Sequence, residues 1–277
     1  MSVSLQRMKT TVGGVSIEYF EAGKGPPLLY LHGGEGPGTY STRHLEELAG
    51  DYHVIAPWHP GFGSAELPRD FDEVADIAYL YFDFICKLAL TDAVLIGSSF
   101  GGWVALEMAI RSPQQFSNLV LISPLGVKLG GREQRDFLDL FLVHAVDWPS
   151  YYIRSAELLP NYDSLASEEL IGIARSREAI ARFGFEPYLH RPGLKRWLHR
   201  ITIPSLVLSG ADDRIVSPTH GESLAGLLPN CRFERVQAAG HLIEVDQPKL
   251  FAGLVKQFLD PAATSPDCGH ERQGINQ

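Results

Sequence analysis

Short, wholly apolar runs constrain this chain more than any other feature of its sequence. Two of them, Leu28–Leu31 and Ala93–Ile96, are bounded by turn residues, and stretches with helical periodicity separate such runs. A strand without a polar face must be buried on both sides, as in a mostly parallel sheet covered by helices. The sequence therefore predicts an α/β fold with a central, mostly parallel sheet. The predicted strands are Val15–Phe20, Leu28–Leu31, His53–Pro57, Ala93–Gly97, Leu119–Ser123, Ser205–Ser209 and Arg232–Val236, and the predicted helices are Asp72–Leu90, Gly102–Ile110, Pro218–Leu228 and Pro248–Leu259.

The alternation of strands and helices is interrupted once. It stops after Pro124 and resumes at Ile203, and the residues between have helical spacing, many aromatic side chains and no clear strand. This pattern predicts a core domain formed by residues 1–123 and 199–260, with a helical lid at 124–198 over one edge of the sheet. Residues 261–277 are rich in Pro, Gly, Ser and polar residues, which predicts a disordered tail.

Charge and cysteine content exclude several classes of function. The 277 residues include 24 Lys and Arg against 33 Asp and Glu, a net charge of −9, so nucleic acid is not expected as a partner. Cys86, Cys231 and Cys268 are an odd number without metal-ligand spacing, and neither a disulfide framework nor a metal site is expected. No cofactor is predicted.

The sequence also predicts where the protein works. Its first ten residues contain no apolar core of a signal peptide, and the most apolar helical stretch, Val74–Leu90, is interrupted by Asp76, Asp83 and Lys87. We therefore expect a cytoplasmic protein that does not associate with membranes and whose partner is a small-molecule substrate. The oligomeric state is not predicted.

A candidate nucleophile lies in the sequence Gly-Ser-Ser-Phe-Gly-Gly at 97–102, between a predicted strand and a predicted helix. In a G-x-S-x-G turn in this setting the central serine, here Ser99, has its hydroxyl exposed at the top of the sheet. The N–H of Phe100 lies at the start of the helix, where it can stabilise a negatively charged oxygen. The motif alone is weak evidence for a nucleophilic serine, but it is strong evidence when it lies between a strand and a helix.

A serine needs a base and a carboxylate that orients the base. Two loops downstream supply them, each at the carboxyl end of a predicted strand, where sites of parallel sheets gather. His241 is the candidate base, and Asp213 is the candidate acid, with Asp212 as the alternative.

A second oxyanion donor is predicted from the glycine-rich turn His-Gly-Gly-Glu-Gly-Pro-Gly at 32–38, which follows the strand Leu28–Leu31. Its backbone N–H groups can face the serine. We expect the donor to be Gly34, with Gly33 as the alternative. The turn does not fit a phosphate cradle, because no Gly-Lys-Ser/Thr follows it.

Over about residues 10–260 the chain resembles the α/β-hydrolase fold family. The resemblance rests on HGGEGPG, on APWHPGFGS at 56–64, on GSSFGG, on GADDRIV at 210–216 and on AGHLIEVDQP at 239–248. It implies a mostly parallel sheet flanked by helices, with a helical lid inserted after the sixth strand, and a Ser-His-Asp triad. It leaves the substrate open, because members of one fold differ in chemistry.

The resemblance favours a serine hydrolase that cleaves a carboxylic ester or lactone of a small, apolar or aromatic substrate. An alternative is suggested by similarity to meta-cleavage product hydrolases, which cut C–C bonds and typically carry Asn before the nucleophile, Trp after the histidine and a lid arginine. Here Ser98 and Leu242 stand at the first two places, and Arg175 or Arg177 could supply the third. The candidate substrate-binding residues are Gly33, Ser98, Arg175 and Arg177. A further alternative is a ligand-binding receptor on a hydrolase scaffold.

Overall fold

The computed structural model describes residues 4–131 and 133–260. Eight strands form one sheet: β1 (Gln6–Val12), β2 (Val15–Ala22), β3 (Pro27–Leu31), β4 (His53–Pro57), β5 (Ala93–Ser98), β6 (Phe116–Ile122), β7 (Ser205–Gly210) and β8 (Cys231–Val236). Their spatial order is β1-β2-β4-β3-β5-β6-β7-β8. The pairs of β2 with β1 and β4 are antiparallel, and the remaining pairs are parallel. The predicted fold is confirmed.

Helices cover both faces of the sheet. They are α1 (Arg43–Leu48), α2 (Val74–Lys87), α3 (Phe100–Arg111), α4 (Trp148–Tyr152), α5 (Ser167–Gly184), α6 (Pro218–Ala225), α7 (Ile243–Asp246) and α8 (Pro248–Leu259). Side chains of β5 alternate between two cores, Leu95 packing with α2 and α3 and Ile96 with α1 and α8. The runs Leu28–Leu31 of β3 and Ala93–Ile96 of β5 carry no polar face because both faces of these strands are covered.

Several elements differ from the prediction, which did not include β1, α1 and α7. The edge strand β1 was missed, because it pairs only with β2 and most of its side chains are exposed, so it lacks an apolar pattern. Helix α3 begins at Phe100, two residues earlier than expected, directly after Ser99.

A long insert connects β6 to β7, and we call residues 123–204 the helical insert. Besides α4 and α5 it contains five 3-10 turns: Leu140–Leu142, Ala145–Asp147, Ala156–Leu158, Tyr162–Ser164 and Leu194–Arg200. Helix α5 lies on loops that follow strands of the sheet, since the Ser176 hydroxyl accepts a hydrogen bond of 3.0 Å from the Gly63 N–H. Its role as a lid and the division into domains stay predictions, and the predicted tail at 261–277 lies outside the described residues.

Three further observations concern residues 4–131 and 133–260. No helix there is long and apolar enough to cross a membrane. No cluster of three or more His, Cys, Asp or Glu side chains in this part of the chain is arranged to hold a metal ion. Cys86 and Cys231 are free thiols, and Cys268 lies outside the described ranges.

Candidate active site

Ser99 lies in a strained turn between β5 and α3. Its backbone is left-handed, with φ 51° and ψ −113°, a conformation that costs a non-glycine residue about 1–3 kcal/mol. The flanking glycines are required by close approach of backbone: a Cβ on Gly101 would lie 2.1 Å from the Leu31 carbonyl oxygen, and one on Gly97 would lie 2.5 Å from the Gly101 carbonyl oxygen. The glycines therefore let strand, turn and helix meet closely enough to hold the serine.

The predicted nucleophile, base and acid form one chain of hydrogen bonds. The Ser99 hydroxyl lies 2.7 Å from His241 Nε2, and His241 Nδ1 lies 2.9 Å from Asp213 Oδ2. An ionised carboxylate only accepts, so Nδ1 carries the proton and Nε2 is free to accept from the serine. This is the arrangement that lets a histidine remove the proton of a serine hydroxyl.

The two candidate acids have different environments. The buried Asp213 carboxylate also accepts hydrogen bonds from the N–H groups of Ile215 (2.8 Å) and Val216 (2.9 Å), which fix its orientation. Asp212 is half exposed and forms an ion pair of 2.8 Å with Arg154. The structure thus brings Asp213, and not Asp212, to His241.

Buried histidines hold the glycine-rich turn after β3. His32 Nε2 accepts from the His59 N–H (2.9 Å), so Nδ1 carries the proton and donates to the Gly33 carbonyl (2.6 Å). Burial holds the pKa of His32 well below its usual range and lowers that of His59 to about 3, so both rings stay neutral. Because a trans peptide directs its N–H away from its C=O, the Gly34 N–H points away from His32.

The turn is adjacent to the nucleophile on one side and to the insert on the other. A Cβ on Gly33 would lie 3.3 Å from Ser99 Cβ, whereas one on Gly34 would lie 2.8 Å from Ile180 Cδ1 and 3.2 Å from the Tyr152 hydroxyl. The site is closed in this conformation, with 2% of Ser99 exposed and His241 fully buried.

Arg177 is paired within the protein. It approaches Glu35 Oε1 at 3.3 Å, donates to the Tyr162 hydroxyl at 2.9 Å, and its guanidinium lies 4.9 Å from the ring of Trp148. Burial raises the pKa of Glu35, while the Tyr40 hydroxyl and Arg177 oppose that shift. This pair links α5 to the turn that carries Gly34.

The structure does not bring the other two predicted substrate ligands to the triad. Arg175 is exposed and lines a surface cleft with Glu66 and Glu178. Ser98 is fully buried beside Tyr30 and Glu244, and its hydroxyl has no hydrogen-bond partner among the described residues.

Sequence reasoning missed two acidic residues after His241. Glu244 is buried and accepts a hydrogen bond of 2.9 Å from Tyr30, and burial raises its pKa. The carboxylate of Asp246 accepts from the N–H groups of Gly240 (2.7 Å), Arg154 (3.0 Å) and Ser155 (2.9 Å). It therefore ties the loop that carries His241 to the insert. In the sequence, the one signal for these two residues was their position shortly after the candidate base His241. An acidic residue at such a position can equally be exposed, so the signal did not predict that they are buried or hydrogen-bonded.

Tyr152, also missed, lies at this junction. Its carbonyl accepts a hydrogen bond of 2.9 Å from the Leu242 N–H, and its ring centroid is 5.8 Å from that of His241. Only 3% of the residue is exposed. Tyr152 thus packs directly on the candidate base, and no local motif in the sequence marked it.

Comparison with known proteins gives consistent results. The family model of the alpha/beta hydrolase fold matches residues 26–248. The chain is 28% identical to 2-hydroxy-6-oxo-2,4-heptadienoate hydrolase of Pseudomonas putida, over 89% of this chain and 94% of that protein. It is also 28% identical to polyketide synthase ThaQ of Burkholderia thailandensis over 93% of this chain, but it spans only 13% of that protein. A solved structure of a bacterial membrane phospholipase A is similar, with a TM-score of 0.79 and 25% identity over 94% of this chain and 87% of that one.

Proposed function

The chain belongs to the alpha/beta hydrolase fold family, and on this premise we propose that it is a serine hydrolase that cleaves a carboxylic ester or lactone of a small, apolar or aromatic substrate. The observation that carries the proposal is the hydrogen-bonded chain of Ser99, His241 and Asp213. Such a chain converts a weak nucleophile into one that attacks a carbonyl carbon.

Each residue has a role in the proposed reaction. The Ser99 oxygen attacks the carbonyl carbon while His241 Nε2 takes its proton, and Asp213 stabilises the resulting imidazolium. The N–H groups of Phe100 and Gly34 receive the oxyanion, and one such donor typically contributes about 3–4 kcal/mol to transition-state stabilisation. His241 returns the proton to the leaving alcohol and then activates the water that releases the acyl group.

The environment of Arg177 favours an uncharged acyl group. A substrate carboxylate bound beside Gly34 would have to displace Glu35 from this guanidinium or share it. Carboxylates are repelled by a neighbouring carboxylate. An ester or lactone without a second negative charge therefore fits the site better.

C–C bond hydrolysis is the second candidate. Similarity to the Pseudomonas putida hydrolase supports it, because that enzyme's name specifies a carboxylate substrate cleaved by hydrolysis. In this case Arg177 would exchange Glu35 for the substrate carboxylate.

The first experiment is intact-mass labelling with a fluorophosphonate probe, which asks whether Ser99 is activated without requiring the substrate. We expect one adduct on the wild type, none on Ser99→Ala, and one on Ser223→Ala, which removes an exposed hydroxyl that is not part of the triad. Unlabelled enzyme from the same preparation is then assayed on neutral p-nitrophenyl esters and on a vinylogous diketone carboxylate. Faster turnover of the diketone would establish C–C hydrolysis instead, and a folded wild type without an adduct would contradict a serine hydrolase and favour a ligand-binding receptor.

A further inference from the structure

Tyr152 carries a hydroxyl that the proposed reaction has not yet used. Within residues 4–131 and 133–260 no side-chain hydrogen bond involves this hydroxyl, and only 3% of the residue is exposed. Tyr30 and Tyr81 are equally buried, and their hydroxyls bond to Glu244 (2.9 Å) and His59 (2.7 Å). The Tyr152 hydroxyl has no such partner and is not among the fully enclosed unpaired polar atoms of the described residues, so it is available to a ligand.

The surroundings of this hydroxyl belong to the candidate active site. The ring packs against His241 at 5.8 Å between centroids, and the hydroxyl lies 3.2 Å from the place where a Cβ would stand on Gly34. The hydroxyl therefore lies beside the Gly34 backbone. The base and the glycine-rich turn flank it.

The backbone around Tyr152 is fixed independently of its hydroxyl. The Tyr152 carbonyl accepts from the Leu242 N–H, and the N–H groups of Arg154 and Ser155, two and three residues further on, donate to Asp246. These bonds hold the segment against the loop of His241. The hydroxyl is thus held in place before a ligand arrives, which is the condition for effective stabilisation of developing charge.

The protonation state suits a donor. Burial and the nearby carboxylate of Glu35 hold the pKa of Tyr152 well above its usual value, and Arg177 only partly opposes this shift. The phenol therefore keeps its proton throughout the pH range in which a histidine base operates.

We propose that the Tyr152 hydroxyl donates a hydrogen bond to the carbonyl oxygen of the substrate, beside the Gly34 N–H, and strengthens that bond as the oxygen becomes negatively charged. This inference rests on the proposed function of Ser99. It makes Tyr152 a catalytic residue supplied by the helical insert. The proton stays on the phenol, and no bond other than the hydrogen bond is formed or broken.

The test compares Tyr152→Phe with Tyr188→Phe. Tyr152→Phe keeps the ring on His241 and removes only the hydroxyl, so we expect an unchanged Tm, a fall in kcat of about 10-fold to 100-fold and a small change in KM. Tyr188, also in the insert, uses its hydroxyl to donate to Leu138 and to accept from Leu140. Tyr188→Phe is expected to lower Tm and to leave kcat near the wild-type value.

The rate of fluorophosphonate labelling gives a second readout, because the phosphonyl oxygen occupies the oxyanion site of a labelled serine hydrolase. We expect Tyr152→Phe to label more slowly than the wild type by a factor similar to the loss in kcat. Wild-type kcat and labelling rate in Tyr152→Phe would overturn the inference while leaving the serine hydrolase intact. A rise in KM alone, or a lower Tm that accounts for the lost activity, would also overturn it. An unlabelled, folded wild type would contradict the proposed function, and the inference with it.

Discussion

On the sheet side of the candidate active site, backbone atoms hold the reacting groups, whereas on the insert side, side chains do most of this work. Gly101 meets the Leu31 carbonyl so closely that no Cβ fits, and two backbone N–H groups orient Asp213. Across the site, α5 is joined to the glycine-rich turn by the Arg177–Glu35 pair. Backbone contacts have few alternatives, whereas side chains can exchange partners, so the sheet side should tolerate change far less.

The largest expected effect tests the acid on the sheet side. Asp213→Asn should lower kcat by about 10⁴-fold, because an amide in place of the carboxylate stabilises neither the required histidine tautomer nor its charged form. Asp212→Asn is the matched control and should change kcat by less than about 3-fold, since its partner Arg154 is half exposed. Ester turnover and circular dichroism of both variants check this, and the reverse order of effects would assign the acid to Asp212.

The next effect compares two glycines, Gly101, which contacts the sheet, and Gly34, which faces the insert. In Gly101→Ala the new methyl would lie 2.1 Å from the Leu31 carbonyl oxygen, so we expect the free energy of unfolding to fall by more than about 3 kcal/mol. In Gly34→Ala the methyl meets the end of the Ile180 side chain at 2.8 Å, which can move. A loss of about 1 kcal/mol is expected there. Urea unfolding measures both, and equal losses would contradict the difference between the two sides.

The smallest effect concerns the ion pair of the insert. Glu35→Gln removes the charge that faces Arg177, so helix α5 should open more often and its amide hydrogens should exchange about 5-fold to 10-fold faster. Strand β5 should keep the wild-type exchange rate. Glu168→Gln, an exposed change on the same helix, is the control, and hydrogen exchange with mass spectrometry resolves the two elements. Identical exchange of α5 in all three proteins would show that the pair does not hold the helix.

Two contacts across the same sequence distance illustrate what can be predicted from a sequence. Ser99 and His241 are 142 residues apart, and so are Glu35 and Arg177. The first pair was predicted, because a serine nucleophile requires a base and the strand pattern puts both at one edge of the sheet. The second was not, because a Glu and an Arg carry no requirement for each other.

The same reasoning explains the remaining differences. The apolar strands were predicted because burial on both faces leaves a clear signal, and β1 was missed because its side chains are mostly exposed. Tyr152 could not be recognised, since its significance depends on how the insert folds back onto His241 and Gly34. Glu244 lies among apolar residues without a local sign of its partner Tyr30.

The carboxylate of Asp246 also has a consequence for engineering. Exchanging inserts between related hydrolases is an obvious route to new specificity, with junctions chosen in the connections to β6 and β7. An insert taken from another hydrolase would face the Asp246 carboxylate of this chain. That carboxylate accepts hydrogen bonds from the N–H groups of Arg154 and Ser155 in the present insert, and from that of Gly240. Residues 240–246 should therefore be transplanted with the insert as one module, although they lie after β8 in the chain.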